Sequence, residues 1–324
     1  MFVSLGLARI GKSQSGEGFS STGTLACAVL WTHTQATNLV AIPNHAQARV
    51  PVLPKQSWPP LHARIRAMSN ASVELAENLA RVRERIELAA SCAGRRAEEI
   101  TLIAVSKTHS ARKIQELYQA GVRNFGENRV QERESKLSHL AGLDATWHMI
   151  GHLQKNKAAR AIHLFDSVDS VDSVPLAEKL NRARKDLNNE NTKSAEKRRA
   201  RNEAQHFAAE DRSRVLIEVK LDPEPAKSGV AGEEVMRLVE AILRMPQLDL
   251  RGLMGVPPYF DNPEEARPYF RRLRELRDTV RAQIGPDILP VLSMGMSHDL
   301  EIAIEEGATE VRIGTALFGA RERE

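Results

Sequence analysis

The feature that most constrains this fold is the regular alternation of short apolar runs with amphipathic helical segments after residue 67. The pattern predicts eight strands, at 101–107, 122–126, 146–150, 164–168, 215–219, 248–254, 289–293 and 310–313. Eight β/α units in about 230 residues are what a single (β/α)8 barrel of the TIM type requires. A doubly wound sheet is the alternative, but no Gly-x-Gly-x-x-Gly follows the first predicted strand.

Residues 1–67 differ in composition from the rest of the chain. They are rich in Ser, Thr, Pro and Ala, nearly free of acids, and show no sustained periodicity. We expect a disordered extension or a wrongly assigned start, with the domain occupying 68–324; a transit peptide stays open because such segments are poor in acids. The apolar piece at 25–31 is too short for a bilayer, which needs about 20 residues, so no membrane association is predicted.

A strongly polar stretch at about 186–214 interrupts the β/α pattern and contains the run Lys-Arg-Arg-Ala-Arg. Intervening acids and the lack of interleaved aromatic residues favour a solvated helical extension or flexible insert over a nucleic-acid patch. The net charge of only +4 agrees with this, and we expect no nucleic-acid partner.

Only two cysteines are present, Cys27 and Cys92, far apart and without a neighbouring metal-ligand pattern. This spacing indicates neither a disulfide framework nor a zinc site, so no metal is predicted. A reducing cytoplasm is the compartment that fits best.

The first predicted strand ends in a single lysine, Lys107. The carboxyl ends of barrel strands form the face on which such folds place their chemistry. An amine at the mouth of an apolar barrel loses hydration, which favours its neutral, nucleophilic form and makes Lys107 a Schiff-base candidate. Taken alone, this strand fits better a lysine whose charged end extends to solvent.

Further candidate residues lie at or just past the carboxyl ends of the other predicted strands. They are Asn128, His148, Met254, Ser293, Gly295, Arg312, Gly314 and Thr315. The last two loops place glycine and hydroxyl residues between a strand and a helix, which is either a phosphate site or ordinary helix capping. An amine facing a phosphate site suggests pyridoxal 5′-phosphate (PLP). Arg312 is then placed at the pyridine nitrogen, or is a salt-bridged arginine, and His148 has the alternative of a satisfied polar core residue.

Several motifs, in order from about Ser69 to the C-terminus, resemble the pyridoxal phosphate homeostasis protein family, whose members are relatives of the alanine racemase N-terminal barrel. The motifs are Ala104-Val-Ser-Lys-Thr, Phe125-Gly-Glu-Asn-Arg-Val-Gln-Glu, His148-Met-Ile-Gly-His-Leu-Gln-Lys-Asn-Lys, Lys227-Ser-Gly, Gly252-Leu-Met, Ser293-Met-Gly-Met-Ser-His-Asp and Arg312-Ile-Gly-Thr-Ala-Leu-Phe-Gly. The resemblance implies that Lys107 carries PLP as a Schiff base, with Arg312 at the ring nitrogen. It implies phosphate contacts from Ser293, Gly295, Gly314 and Thr315, and a pocket lined by Asn128 and His148.

The chain departs from the usual family pattern at three places. Residues 1–67 have no counterpart, the stretch 186–214 looks longer, and Val219-Lys220 stands where the family often has Val-Asn. The third difference puts pocket contacts from the fifth strand in doubt.

A racemase on this scaffold needs a second base, which alanine racemases supply as a tyrosine from a C-terminal β domain. The chain stops at Glu324, which leaves no room for that domain, and of three tyrosines only Tyr259 lies in a loop on the catalytic face. We therefore expect a PLP-binding protein without catalytic residues that buffers or delivers the cofactor and so influences amino-acid pools. The alternative is a weak PLP-dependent racemase or other PLP enzyme. PLP-dependent apo-enzymes are expected partners, and the protein is expected to be a monomer or weak dimer.

Overall fold

The computed structural model describes residues 70–199, 212–222, 224 and 227–319, apart from the side chains of residues 70–72 and 192–199. The predicted extension at 1–67 lies outside the described residues, as does the 200–211 part of the polar stretch. The earlier part of that stretch continues a long helix through Arg199.

Eight parallel strands form a closed barrel in which each strand pairs with its neighbours in sequence. The strands are β1 Thr101–Val105, β2 Asn124–Glu127, β3 Thr146–Met149, β4 Ser167–Val171, β5 Ser213–Val219, β6 Leu248–Gly255, β7 Val291–Ser293 and β8 Glu310–Ile313. Closure comes from β1 pairing with β8, where Thr101 lies opposite Glu310 and Ala104 opposite Ile313. The predicted (β/α)8 architecture is confirmed.

Helices precede, connect and follow the strands. They are α1 Asn70–Cys92, α2 Ala111–Gln119, α3 Val130–Lys136, α4 Ala158–Leu164, α5 Val174–Arg199, α6 Val235–Leu243, α7 Arg267–Ile284, α8 Leu300–Glu305 and α9 Thr315–Phe318. Short 3-10 turns at Lys155–Lys157, Gly232–Glu234 and Pro263–Ala266 lead into α4, α6 and α7.

Apolar spacing determines which face of each helix is buried. On α1, Leu75, Leu79, Val82 and Ile86 recur at helical intervals and are all buried against the rest of the fold. Burying each such side chain stabilises the fold by about 1.5–3 kcal/mol. Charged residues occupy the opposite, exposed face of α1. Packing of the apolar face therefore supplies most of the stability of this helix.

Every strand except β8 departs from its predicted bounds by one to three residues at one end or both. β1 ends at Val105, two residues before Lys107. β4 occupies Ser167–Val171 rather than 164–168, because the apolar run before it forms the last turn of α4 and is buried there. Every residue of β4 is buried although Ser167 and Asp169 are polar, since these two side chains form hydrogen bonds with each other and with other groups inside the barrel.

A buried carboxylate ties α7 to the C-terminal end of α8. Glu306 is 4 % exposed. It lies 3.4 Å from Arg267, 2.9 Å from Arg271 and 2.9 Å from Arg274. Burial alone raises the pKa of Glu306, but hydrogen bonds from Arg271 and Arg267 outweigh it and hold that pKa below its ordinary value of 4.5.

We expect Glu306→Gln to lower the free energy of unfolding by about 1–2 kcal/mol at neutral pH, a value reduced from that of a fully buried pair because the arginines are partly exposed. The folded-state pKa is depressed, so this contribution is present above pH 4.5 and is lost as pH falls through the folded value. Urea titrations of wild type and variant at several pH values measure the difference. Glu240→Gln removes the exposed Arg244–Glu240 pair and serves as the control, with a change below about 0.5 kcal/mol. An equal loss in both variants would contradict the prediction.

Candidate functional site

Lys107 lies in the turn that follows β1, half-buried, at the carboxyl face of the barrel. Its neighbour Thr108 has φ of 65°, in the left-handed region that β-branched residues rarely adopt. Such strain persists only where the surrounding structure fixes the backbone, and it is concentrated at functional sites. Downstream, Ser110 ends the turn by capping α2, since its side chain accepts a hydrogen bond from the Lys113 amide.

The loop after β7 is bound to β8 by a buried arginine. Arg312 donates from Nη1 to Ser293 Oγ at 2.8 Å and from Nη2 to the Gly255 carbonyl at 2.9 Å. Its backbone amide donates to the Gly295 carbonyl at 3.0 Å. Gly295 has φ of 93°, and a Cβ there would lie 2.5 Å from the Ala303 Cβ, so only glycine fits. Three predicted site residues, Ser293, Gly295 and Arg312, are thereby brought together.

The loop after β8 lies beside the turn that carries Lys107. A Cβ built on Gly314 would be 3.6 Å from the Val105 Cβ, and the His109 ring stacks on Phe318 at 4.3 Å. Thr315 is exposed at the start of α9. The two glycine-containing loops also contact each other, because the Ala316 amide donates to Ser297 Oγ at 3.2 Å.

A cavity of about 390 Å³ opens next to these loops at the same end of the barrel. Its lining includes Asn128, His152, Glu218, Lys227, Tyr259 and Asp299. Among the predicted site residues, Asn128 borders this cavity directly. Met254 does not, because it is fully buried in β6 opposite Ser293. Lys107, Ser293, Gly295, Gly314 and Thr315 are not part of this lining.

His148 lies inside the barrel rather than on the cavity wall. It is 1 % exposed, with Nδ1 at 2.9 Å from Asp169 Oδ2 and Nε2 at 3.3 Å from Asn124 Oδ1. Burial disfavours its charged form, but the adjacent Asp169 carboxylate outweighs burial and raises the pKa of His148. This geometry matches the satisfied polar core residue that the sequence left as the alternative.

Among the described residues, one group has the composition of a metal site: His148, Asp169 and Glu310, whose ligand atoms lie within 4.8 Å of one another. Two arginines face the same group. Arg214 lies 4.0 Å from Glu310. Burial lowers the pKa of Arg312, and the nearby carboxylates of Asp169 and Glu310 partly offset this effect. The guanidinium charges of Arg214 and Arg312 therefore lie opposite the carboxylates of this group.

Sequence reasoning missed two buried acids at this face. Glu218, near the end of β5, borders the cavity and accepts a hydrogen bond from Ser228 Oγ at 2.8 Å; burial raises its pKa. Glu127, the last residue of β2, is fully buried beside Ser106 and Lys136. The sequence did contain a sign of both residues, because each is an acid within an otherwise apolar strand end. Burying such a carboxylate costs free energy unless the fold supplies hydrogen-bond or ion-pair partners.

Comparisons with known proteins show which family the chain belongs to. A family model described as alanine racemase, N-terminal domain, matches residues 77–322. The pyridoxal phosphate homeostasis protein of Aquifex aeolicus is 44 % identical over 246 residues, covering 76 % of this chain and 98 % of that protein. The protein of the same name from Escherichia coli K12 is 40 % identical over 257 residues, covering 77 % and 97 %. The chain belongs to the pyridoxal phosphate homeostasis protein family.

Among solved structures, the chain is similar to PipY of Synechococcus elongatus PCC7942. PipY without PLP matches with a TM-score of 0.62, and PipY with PLP bound matches with 0.61. Each is 36 % identical, and each match covers 76 % of this chain and 100 % of PipY. The alanine racemase of Clostridium difficile 630 shares the fold at 15 % identity, with a TM-score of 0.56 over 78 % of this chain and 57 % of that one.

Within the described ranges, no helix combines the length and the apolar character that crossing a bilayer demands. Cys92, at the end of α1, is exposed and free.

Proposed function

We propose that this protein binds PLP at the carboxyl face of its barrel through a Schiff base to Lys107, and that it buffers the cofactor or delivers it to PLP-dependent apo-enzymes. The observation that carries the proposal is the position of Lys107 in a strained turn whose preceding strand lies against the glycine-containing loop after β8. That loop in turn contacts the glycine-containing loop after β7. PipY, solved with PLP bound, supports it through 36 % identity over its whole length.

The residues present fit the chemistry of this cofactor. PLP supplies an aldehyde that condenses with a lysine amine, a phosphate anion and a pyridine nitrogen. We assign the aldehyde to Lys107, the ring nitrogen to Arg312, and the phosphate to the loops containing Ser293, Gly295, Gly314 and Thr315. Gly295 lets the β7 loop pack within contact of α8, a closeness that any side chain there would prevent. Arg312 is held by two acceptors and still has further N–H donors.

The same proposal assigns a carrier rather than a racemase. A second base must lie opposite the lysine and be protected from water. Tyr118 and Tyr269 lie within α2 and α7, and Tyr259 is 76 % exposed with its ring stacked on His298 at 5.4 Å. Their positions favour cofactor exchange over proton transfer to a substrate carbon. Turnover of L- or D-amino acids that is lost in Lys107→Ala would favour the racemase.

Compartment and assembly belong to the proposal as well. We place the protein in the cytoplasm, where its two widely separated cysteines stay reduced. We propose that the protein is a monomer or weak dimer. It transfers PLP to apo-enzymes in transient contacts and does not assemble with them permanently.

Borohydride reduction followed by peptide mapping tests the proposed attachment. Reduction converts an imine to a stable secondary amine, so wild-type protein loaded with PLP is expected to carry the label on the peptide containing Lys107. A sample reduced without PLP is the control. A label distributed over exposed lysines, with none at Lys107, would refute the proposal.

A further inference from the structure

A buried carboxylate contacts the residue directly before Lys107. Glu127 at the end of β2 is fully buried. Its Oε1 accepts a hydrogen bond from Ser106 Oγ at 2.7 Å and one from Lys136 Nζ at 2.7 Å. Lys136, the last residue of α3, donates also to the Ser106 carbonyl at 2.9 Å. One ion pair thereby joins β2, α3 and the turn that follows β1.

Ser106 is held through every polar group it has. Its amide donates to the Gly126 carbonyl at 2.9 Å, its hydroxyl donates to Glu127, and its carbonyl accepts from Lys136. The peptide bond between Ser106 and Lys107 is therefore fixed in orientation. Immediately beyond it, Thr108 adopts its strained left-handed conformation. Such strain requires an anchor, and the Glu127–Lys136 pair supplies one on the N-terminal side of the turn.

We propose that Glu127 and Lys136 are positioning residues that act through Ser106 to hold Lys107, and that breaking their ion pair speeds the release of bound PLP. The inference rests on the proposed attachment at Lys107. It adds a determinant of how long the cofactor stays bound. Hydrolysis of the imine by water returns a free aldehyde and a free lysine amine. A displaced amine recaptures the aldehyde more slowly, so more of the cofactor escapes.

The charged groups around Glu127 make this anchor sensitive to pH. Burial raises the pKa of Glu127 to about 7, against the opposing effects of Lys136 and Ser106, while a hydrogen bond with Glu132 raises it further. Arg133, stacked over Trp147 at 3.9 Å, also faces the carboxylate. Protonation of Glu127 removes the charge that holds Lys136, so PLP release should accelerate as pH falls through about 7.

Global stability responds to the same group in the opposite direction. The folded-state pKa of Glu127 lies above its ordinary value of 4.5, so its contribution to the free energy of unfolding is full below pH 4.5 and is lost as pH rises through about 7. A purely structural role would make PLP release follow stability. If Glu127 positions Lys107, PLP release is slower above pH 7, where the contribution of Glu127 to the free energy of unfolding is smaller.

The experiment follows the first-order loss of the imine absorption band after PLP-loaded full-length protein is diluted, across about pH 6 to 8. We expect Glu127→Gln and Lys136→Met to release PLP roughly tenfold faster than wild type above pH 7 and to lose most of the pH dependence. Lys136→Arg keeps a cation and should restore slow release in part. Glu134→Gln is the matched control, because it removes an exposed ion pair from the same helix, between Glu134 and Arg160, and should behave as wild type.

A second measurement uses apo-protein, so that a variant with weak PLP binding still gives a result. The rate of acetylation at Lys107, followed by peptide mapping, should change in Glu127→Gln and stay unchanged in Glu134→Gln. If both pair-breaking variants keep the wild-type release rate, pH profile and acetylation rate while Lys107 still binds PLP, the positioning inference is overturned and the proposed function stands. If wild-type Lys107 takes up no PLP, the proposed function itself fails.

Discussion

Replacing Lys107 with alanine is expected to abolish the absorption band of an imine between PLP and the protein and to reduce PLP retention to that of a noncovalent ligand. The reason is chemical, because alanine offers no amine to condense with the aldehyde. Lys107 is half-buried in a turn after β1, so its truncation should leave the barrel intact. Spectra of PLP-treated protein after gel filtration measure the band, and far-ultraviolet circular dichroism checks the fold.

Two further variants separate the covalent role from charge. Lys107→Arg keeps a cation without a condensing amine and should lose the band as completely as alanine does. Lys179→Ala removes an exposed lysine from α5 and should keep the wild-type spectrum. Persistence of the band in both Lys107 variants would move the attachment to another lysine and invalidate the assigned site.

The second large effect concerns the ion network inside the barrel. We expect Asp169→Asn to lower the free energy of unfolding by about 3–5 kcal/mol, because it removes one partner of a fully buried pair and leaves His148 without its counter-charge. Asparagine has nearly the same shape as aspartate, so packing changes little and the effect reports on charge. Chemical denaturation of the two proteins measures it.

The pH dependence identifies the group responsible. Asp169 raises the pKa of His148, so the stability that this pair contributes is present below the ordinary histidine pKa of 6.5 and is lost as pH rises through the folded value. The deficit of Asp169→Asn should therefore shrink at alkaline pH. Asp172→Asn is the control: its pair with the largely exposed His152 is solvated and should contribute less than about 1 kcal/mol. A deficit that is independent of pH would contradict the assignment to His148.

Much of this fold follows from local pattern. Alternating short apolar runs and helical periodicities predict eight β/α units, because each strand and each helix must bury one continuous apolar face. The β8 bounds at Glu310–Ile313 agree with the prediction, and Ser110 caps α2 as hydroxyl residues do before a helix. The β4 prediction was displaced by three residues, because that strand is polar and buried, so the apolar run marked the end of α4 instead.

By itself, the sequence determined the barrel, the place of Lys107 at its carboxyl face, and the family, since motif order and hydrophobic period are properties of the chain. Only the tertiary structure decided what each polar side chain contacts. It placed His148 against Asp169 inside the barrel, and it joined Glu127 and Lys136 to the residue before Lys107. The physical reason is that hydrogen bonds and ion pairs form between residues that closure of the barrel brings together, and their energies depend on distances and burial that no local sequence pattern specifies.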